Sequence, residues 1–296
     1  MSKRSLSMLK VIALTLLALT AFAANSVLCR FALGENAIDA GSFTAMRLLA
    51  GALTLWAILM LRTKGDRSPV KGGWLAGGML FVYAVSFSYA YVTLDTATGA
   101  LILFGAVQIT MIILSLFLGH KLHLSEWVGA SVAFGGFVYL VLPGIHTPSI
   151  RGFILMAIAG IAWGIYTLEG RDSTTPLRDT AYNFYRTIPF TLLFILLAIG
   201  LTNIQISFIG VVLAVFSGGV TSGIGYAIWY TALVDLSPTQ AAVVQLAVPV
   251  LAALGGVVFL SEEIGLRLIL STLFVLGGIL IVISGRYFFV LKGRNG

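Results

Sequence analysis

Apolar residues are concentrated in ten runs along the chain, and short segments rich in Gly, Pro and charged residues separate these runs. A run of about 20 mostly apolar residues is long enough to cross a bilayer as an α-helix. The pattern therefore predicts an all-α membrane protein with ten transmembrane helices. The predicted spans, with boundaries good to a few residues, are 8–29, 42–61, 72–92, 96–118, 124–142, 150–168, 181–201, 207–232, 239–260 and 265–290.

The composition agrees with a lipid environment and excludes several other classes of protein. Hydrophobic residues make up 59% of the 296 residues, charged residues make up 10%, and the mean hydropathy is +1.02. A soluble domain carries about a quarter charged residues, so this chain cannot cover a water-exposed surface of its size. A soluble enzyme, a disulfide-framed secreted domain and a disordered chain are therefore excluded together.

The first run also resembles a cleavable signal peptide. Basic residues precede it, and Ala21-Phe22-Ala23 is similar to a signal-peptidase site. Cleavage there would leave nine spans. The apolar run continues past that site to Leu28, and the internal repeat described below includes it, so a retained first helix is favoured.

The distribution of Lys and Arg predicts the orientation in the membrane. With the N-terminus inside, the inner segments hold 13 of the 18 basic residues and the outer segments hold 3. Cytoplasmic loops carry the excess of basic residues in membrane proteins, so both termini are predicted to be cytoplasmic. The same distribution accounts for the net charge of +7, and we predict no nucleic-acid partner.

The second half of the chain repeats the first. A shift of 142 residues places 77–141 on 219–283 without a gap, and with small shifts Phe22-Ala23 meets Trp163-Gly164 and Arg47 meets Arg186. We predict a first five-span unit at 1–145 and a second at 146–296. An odd number of spans in each unit makes the two repeats inverted, an architecture typical of secondary transporters with a substrate site near the bilayer midplane. The alternative is a duplicated structural bundle without a transport role.

Particular motifs in these halves resemble a known family. Span six contains Ala162-Trp163-Gly164, and span nine runs from Pro249-Val250-Leu251 to Glu262; with the two five-span halves, they resemble the EamA family of the drug/metabolite transporter superfamily. Trp163 to Tyr166 and Gly225-Tyr226-Ala227-x-Trp229 are similar to the bacterial aromatic amino acid exporters. The resemblance implies export of amino acids or other metabolites, with spans 1–4 and 6–9 lining the pathway and spans 5 and 10 peripheral.

The spans contain no acidic residue at their centres, since all 11 Asp and Glu residues fall in loops or at span ends. Proton relays usually place an ionisable group inside the membrane, so the pattern favours a facilitator. Glu169, at the inner end of span six beside Arg171, is interpreted as part of an interfacial ion pair. Arg47 and Arg186 lie within spans, where snorkelling or structural pairing is favoured over substrate binding.

Uncharged polar and aromatic side chains within the spans are the candidates for substrate contacts. An amide in hydrocarbon must find a partner, and rings with polar tips suit an amphipathic, partly aromatic solute. For Tyr226 and Trp229 an interfacial aromatic belt is an equal alternative, and for Asn25 a helix–helix hydrogen bond. The predicted substrate-binding residues are Asn25, Tyr83, Gln108, Trp163, Tyr166, Tyr226, Trp229 and Gln245.

Other features are assigned structural or mechanical roles. Pro249 removes a backbone hydrogen bond within span nine and predicts a kink, which serves either as a gating hinge or as fixed shape. An interfacial belt is predicted for Trp74, Tyr89, Tyr91, Trp127 and Tyr287.

These observations predict a secondary transporter that exports amino acids, preferably aromatic or hydrophobic ones, by alternating access. An exporter of amphipathic drugs or other metabolites is one alternative, and a lipid-handling or structural membrane protein without a solute pathway is another. The expected partners are the lipid bilayer and a small-molecule substrate, and the sequence indicates no particular oligomeric state. No enzyme motif, metal-ligand spacing or cofactor motif is present, so we predict no catalytic residue, no metal and no cofactor.

Overall fold

The computed structural model describes residues 8–62, 73–117, 124–142, 148–170, 173, 175–198, 204–233, 235–236 and 244–292. These residues are nearly all helical, apart from short connections and one isolated β-bridge between Ile38 and Ile206. The helices are α1 (Met8–Gly34), α2 (Ala40–Arg62), α3 (Trp74–Tyr91), α4 (Thr96–Phe117), α5 (Leu124–Val141), α6 (Ile150–Gly170), α7 (Pro176–Ala198), α8 (Phe208–Leu233), α9 (Ala247–Leu260) and α10 (Leu266–Lys292).

Each helix falls on a predicted span, and the fold is an all-α membrane protein of ten transmembrane helices. Within the described residues, α1, α2, α3, α4, α6 and α8 are long and apolar enough to cross a membrane. Shorter apolar helices of 10–17 residues lie in α5, α9 and α10. The predicted boundary between the repeats, after residue 145, and the predicted start of span nine, at 239, lie outside the described residues.

The largest difference at a described helix start is in α7, which begins at Pro176 rather than at 181. Proline is favoured at the first helical position because its missing N–H has no partner there anyway. Asp179 in the first turn accepts hydrogen bonds from the hydroxyls of Ser173 and Thr175, and a negative charge is favourable at a helix N-terminus. This polar first turn is invisible to a hydropathy pattern, which explains the late predicted start.

Packing between the helices follows a pseudo-twofold relation between α1–α5 and α6–α10. The counterparts in the two halves are α1 and α6, α3 and α8, and α4 and α9. Helices α3 and α4 pack on α6, and their counterparts α8 and α9 pack on α1. Helix α2 packs on its counterpart α7, and α5 on its counterpart α10. These pairings are those that two inverted five-helix repeats produce, and they place α1, α3, α6 and α8 around the centre.

Helices α5 and α10 form a separate pair, because each packs far more on the other than on any further helix. Glycines allow their close approach: a Cβ added at Gly129 would lie 2.5 Å from the carbonyl oxygen of Gly278. Small residues bring helix backbones together in this way in membrane proteins. The pair lies to one side of the bundle and leaves the centre to the other helices.

Helix α8 changes its hydrogen-bonding pattern in the middle, where Ser217–Ile224 is π-helical. Gly218 in this π segment lies against α2 so closely that an added Cβ would overlap the carbonyl group of Arg47. Such segments are rare and often occur at functional sites. The π segment turns its hydroxyl groups toward α1 and α2, as described below.

Helix α9 begins just before Pro249. Val244 and Gln245 are helical, Leu246 is a turn, and α9 starts at Ala247, which places Pro249 in its first turn. Proline has no N–H to donate to the carbonyl four residues earlier, and its ring clashes with that carbonyl. The carbonyl concerned belongs to Gln245, so the predicted kink takes the form of an interruption beside Leu246.

Candidate functional site

Aromatic rings from four helices meet at the centre of the bundle. The ring of Phe22 on α1 lies 5.8 Å from Trp163 on α6, 5.8 Å from Tyr226 and 5.7 Å from Trp229 on α8, measured between centroids. Trp163 in turn lies 4.6 Å from Tyr226 and 5.0 Å from Tyr83 on α3. We call Phe22, Tyr83, Trp163, Tyr226 and Trp229 the aromatic cluster. All five side chains are at least nine-tenths buried.

A small cavity of about 10 Å³ lies within this cluster. Asn25, Tyr83, Trp163 and Tyr226 line it together with four apolar side chains from α1, α3 and α4. This volume is about the minimum for one water molecule. The bundle is therefore contracted at its centre, and any solute larger than water requires the helices to separate there.

Asn25, in the wall of this cavity, joins α1 to three other helices through hydrogen bonds. Its Oδ1 accepts from the hydroxyl of Ser217 at 2.7 Å, from the hydroxyl of Thr221 at 3.2 Å and from Nη2 of Arg47 at 3.3 Å. Its Nδ2 donates to the hydroxyl of Tyr83 at 3.3 Å. Asn25 therefore makes hydrogen bonds between helices and also lines the cavity, so the two alternatives for this residue do not exclude each other.

The hydroxyl of Tyr83 connects this amide to the aromatic cluster. It accepts a hydrogen bond from Tyr226 at 3.3 Å in addition to the one from Asn25. The cavity thus combines ring faces with a short chain of neutral hydrogen-bonding groups.

Arg47 lies next to this network and does not snorkel; of the two roles favoured from the sequence, its contacts fit structural pairing. Its side chain is 2% exposed, and its Nη2 also donates to the hydroxyl of Ser222 at 3.2 Å. The guanidinium carbon lies 5.0 Å from the ring centre of Phe87, 5.8 Å from Tyr83 and 5.9 Å from Phe43. The repeat counterpart differs, since Arg186 is half-buried and lies over the ring of Tyr182.

The other predicted site residues are distributed around the cluster. Tyr166 is buried beside Trp163, with ring centroids 5.4 Å apart. Gln108 on α4 and Gln245 before α9 are also buried, but they are not part of the cavity lining. The structure therefore brings together six of the predicted site residues and leaves the two glutamines outside the wall of the central cavity. The six are Asn25, Tyr83, Trp163, Tyr166, Tyr226 and Trp229.

Phe22 and Arg47 are central residues that the sequence analysis did not assign to the site. Phe22 is one apolar residue among many, although the repeat alignment that matches it with Trp163 is a usable signal. Arg47 carries its own signal, because an ionisable residue inside a membrane span is a functional candidate by default. The central position of Phe22 also makes the first helix part of the bundle core.

The burial of three aromatic residues changes the predicted interfacial belt. Tyr91 is fully buried and donates a hydrogen bond from its hydroxyl to the carbonyl of Thr96, so it does not face the lipid interface. Tyr226 and Trp229 are buried at the centre, which removes the belt interpretation for them. Trp74 and Trp127 are exposed, as a belt requires.

Charged groups join α1, α4 and α9 at the predicted outer side. Arg30 pairs with Asp95 at 3.4 Å and, through Nε, with Glu262 at 3.4 Å. Glu262 also accepts from the backbone N–H of Thr96 at 2.9 and 3.0 Å and from its hydroxyl at 3.1 Å. We call Arg30, Asp95, Thr96 and Glu262 the outer cluster. It holds the outer ends of these helices together above the central cavity.

A larger cavity of about 320 Å³ lies beside the outer cluster, at the outer ends of α1, α3 and α6. Asp39, Tyr89, Arg151 and Gln205 are among its lining residues. Asp39 is held in place by hydrogen bonds from the backbone N–H groups of Ser42 and Gln205. The cavity at these helix ends is therefore much larger than the one at the centre of the bundle.

Glu169, which the sequence analysis interprets as part of an interfacial ion pair, does not lie in the central site. Glu169 is exposed near the inner end of α6, and its predicted partner Arg171 lies outside the described residues. Within the described part of the chain, no group of three or more His, Cys, Asp or Glu residues is placed to hold a metal ion.

Comparison with known proteins places this architecture in a family. The model of the EamA-like transporter family matches residues 9–142 and again residues 150–284. An uncharacterized protein of Pseudomonas aeruginosa is 48% identical over 277 residues, which cover 94% of this chain and 96% of that protein. An uncharacterized transporter of Archaeoglobus fulgidus is 26% identical, with 69% of this chain and 74% of that protein covered.

A solved structure shares the fold. It is described only as the crystal structure of a protein, is 19% identical, covers 91% of this chain and 98% of its own, and superposes with a TM-score of 0.63. The two family matches, one in each half, agree with the five-helix repeats of the fold. Transporters built from inverted repeats bind their solutes near the bilayer midplane, at the interface of the repeats. The chain belongs to the EamA-like transporter family, and it is a multi-pass membrane protein that transports small molecules.

Proposed function

We propose that this protein exports amino acids, preferably aromatic or hydrophobic ones, across the bacterial inner membrane. The observation that carries the proposal is the aromatic cluster beside the hydrogen-bonding groups of Asn25 and Tyr83, at the interface of the two repeats. The outward direction of transport rests on the resemblance of the Trp163 to Tyr166 segment to aromatic amino acid exporters.

The chemistry of the central site suits such a solute. Stacked and edge-on ring contacts favour an aromatic or apolar side chain, and ring faces also attract an ammonium group. Neutral amide and hydroxyl groups bind polar atoms without the desolvation cost of an extra buried charge. The site therefore suits an amphipathic molecule with one apolar end and one polar end.

Alternating access supplies the mechanism. The central cavity of about 10 Å³ corresponds to a contracted state of the site. We propose that the site opens when α1 and α9 move apart from α4, with the interruption beside Pro249 serving as the hinge. The same helices meet in the outer cluster, so its release opens the outer side.

Flux measured in proteoliposomes tests the proposal. Vesicles loaded with labelled phenylalanine, tyrosine, leucine or serine are expected to lose the first three faster than empty-membrane controls do. A Trp127→Phe variant is expected to keep the wild-type flux, because Trp127 is exposed on α5 and is not a member of the aromatic cluster. Absence of flux for every amino acid would contradict the proposal; flux of amphipathic drugs alone would indicate the other transport function.

Reporter fusions test the proposed orientation independently. Fusions after Gly65 and at Gly296 are expected to read cytoplasmic, and a fusion after Pro148 is expected to read periplasmic, because basic residues concentrate on the proposed inner side. A periplasmic C-terminus would contradict the proposed orientation.

A further inference from the structure

Arg47 is a buried cation, and no described residue forms a salt bridge with it. It lies on α2 at the centre of the bundle with a side chain that is 2% exposed. Burying an ionised group is costly unless an opposite charge or a set of hydrogen bonds compensates it. Such residues inside a membrane protein usually pair with another charge or serve a transported solute.

The neighbours of Arg47 are all neutral. Nη2 donates to the amide oxygen of Asn25 and to the hydroxyl of Ser222, and three ring faces surround the guanidinium. In the described part of the chain both salt bridges belong to Arg30. Nη1 is buried with no hydrogen-bond partner among the described residues. The guanidinium is therefore charged, partly unsatisfied and held in a fixed position.

Further donors at the centre lack acceptors. The indole Nε1 atoms of Trp163 and Trp229 are buried with no partner among the described residues, as is Nη1 of Arg47. Trp163 lines the same cavity as Asn25, Tyr83 and Phe87, three residues that Arg47 contacts. The site thus presents an excess of N–H donors and one positive charge. Its complement is a ligand that supplies acceptor oxygens and one negative charge.

We propose that Arg47 binds the carboxylate of the transported solute. The inference rests on the proposed function in one respect, that the central site is the substrate site. A guanidinium offers two parallel N–H groups that match the two oxygens of a carboxylate. Nη1 is ready to donate, and Nη2 exchanges the oxygen of Asn25 for a carboxylate oxygen when the helices separate.

The inference also specifies how the rest of the solute lies. With its carboxylate on Arg47, the apolar side chain of an amino acid extends into the aromatic cluster, and its ammonium group faces the rings rather than the guanidinium. The site consequently selects carboxylates over amines and amides that have the same side chain. Release of Asn25 from Arg47 leaves the amide oxygen of Asn25 with two donors, the hydroxyls of Ser217 and Thr221 in the π segment.

A ligand series on the unmodified protein provides the first test. Binding is measured by calorimetry for phenylalanine, phenylalaninamide, 3-phenylpropionate and 2-phenylethylamine, which share one ring and differ in their charged groups. Phenylalanine and 3-phenylpropionate are expected to bind at least about tenfold more tightly than the amide and the amine, as a charge-assisted hydrogen bond implies. Equal or tighter binding of the amide and the amine would overturn the inference.

Substitutions at Arg47 provide the second test. Arg47→Gln is expected to weaken binding of both carboxylates by at least about tenfold and to leave the affinity for the amine unchanged. Arg47→Lys keeps the charge without the two-pronged geometry and is expected to fall between Gln and wild type. Arg186→Gln is the matched control, because Arg186 is the counterpart in the other repeat and lies over Tyr182, whereas Arg47 contacts Asn25, Tyr83 and Phe87 of the cavity lining. Unchanged carboxylate affinity in Arg47→Gln would overturn the inference.

The two proposals fail in different ways. Amino acid flux that is equal in wild type and Arg47→Gln would overturn the role of Arg47 and leave the exporter proposal intact. Arg47-dependent binding of 3-phenylpropionate without flux of any amino acid would support carboxylate recognition and contradict the exporter proposal. The ligand series on wild-type protein decides the question even when Arg47→Gln does not fold.

Discussion

Glu262, just beyond the end of α9, accepts two hydrogen bonds from the backbone N–H of Thr96, the first residue of α4. The carboxylate therefore caps a helix that lies 166 positions earlier in the chain. A negative charge at a helix N-terminus is favourable, and the ion pair with Arg30 adds α1 to the same contact. Gly256 makes room for it, since a Cβ there would overlap the carboxylate.

Removal of this carboxylate is expected to loosen the outer side of the bundle. Loss of a capping side chain costs about 0.5–2 kcal/mol, and about 1–2 kcal/mol changes an equilibrium between states by about 5- to 30-fold. Glu262→Ala is therefore expected to speed labelling of Cys29 by a membrane-impermeant maleimide in intact cells. Cys29 is the single cysteine, it is fully buried, and it precedes Arg30 on α1.

The neighbouring residue offers a control for this experiment. Glu263 is exposed, so Glu263→Ala is expected to leave the labelling rate at the wild-type value. Equal rates in the two variants would show that the outer cluster does not limit access to Cys29. A Cys29→Ser variant establishes the background of the assay.

The hydroxyl of Tyr226 is expected to matter for transport more than for folding. Tyr226→Phe keeps the ring contacts with Phe22 and Trp163 and removes one hydrogen bond to Tyr83. Such a bond contributes about 0.5–1.5 kcal/mol to stability, so thermal unfolding should change little while amino acid flux falls. Flux at the wild-type rate would place the hydroxyl outside the pathway.

This conservative change separates function from packing better than truncation of the neighbouring tryptophan does. Trp163 contacts Phe22, Tyr83, Tyr166 and Tyr226. Its replacement by Ala is expected to cost about 3–5 kcal/mol in stability, so reduced flux in that variant would not distinguish a lost substrate contact from unfolding.

A methyl group at Gly218 is expected to destabilise the protein. It would overlap the backbone of Arg47, where α2 and the π segment are in contact, and overpacking costs about 1–3 kcal/mol or more. The unfolding temperature of Gly218→Ala in detergent should fall below that of wild type. Gly78→Ala on α3 is the control, because no atom lies within 4 Å of its added Cβ. A fall of the same size in both variants would contradict the close contact.

Transport is expected to proceed without an imposed proton gradient. Asn, Tyr and Arg side chains do not change charge between about pH 6 and 8, and these residue types supply polar groups in and beside the wall of the central cavity. Flux in proteoliposomes should therefore vary weakly over that range and should continue down the gradient of the solute alone. Glu169→Gln is expected to have no effect, since Glu169 is exposed near the inner end of α6.

Proton-driven uphill accumulation would contradict this facilitator mechanism. Its loss in Glu169→Gln or in Glu262→Gln would then identify the carboxylate that carries the proton. Persistence of accumulation in both variants would point to another group.

Hydropathy alone determined the number and approximate position of the helices, because each span must bury about 20 residues in lipid. The repeat was equally accessible, since it consists of matching apolar runs and glycine pairs such as Gly135-Gly136 and Gly277-Gly278. Pro249 predicted an irregularity in span nine, because proline has no backbone N–H to donate. These are local properties, and each can be read from neighbouring residues.

The tertiary structure decided which face of each helix points inward. A membrane helix is apolar both toward lipid and toward its neighbours, so hydrophobic periodicity does not distinguish the two faces. Trp74 and Tyr91 are the first and last residues of α3, and Trp74 is exposed while Tyr91 is buried. The central position of Phe22, and the burial of Arg47 without a salt bridge among the described residues, follow only from the packing of α1, α2 and α8. Glu262 and Thr96 meet across the two repeats for the same reason: packing, rather than local sequence, sets contacts between distant residues.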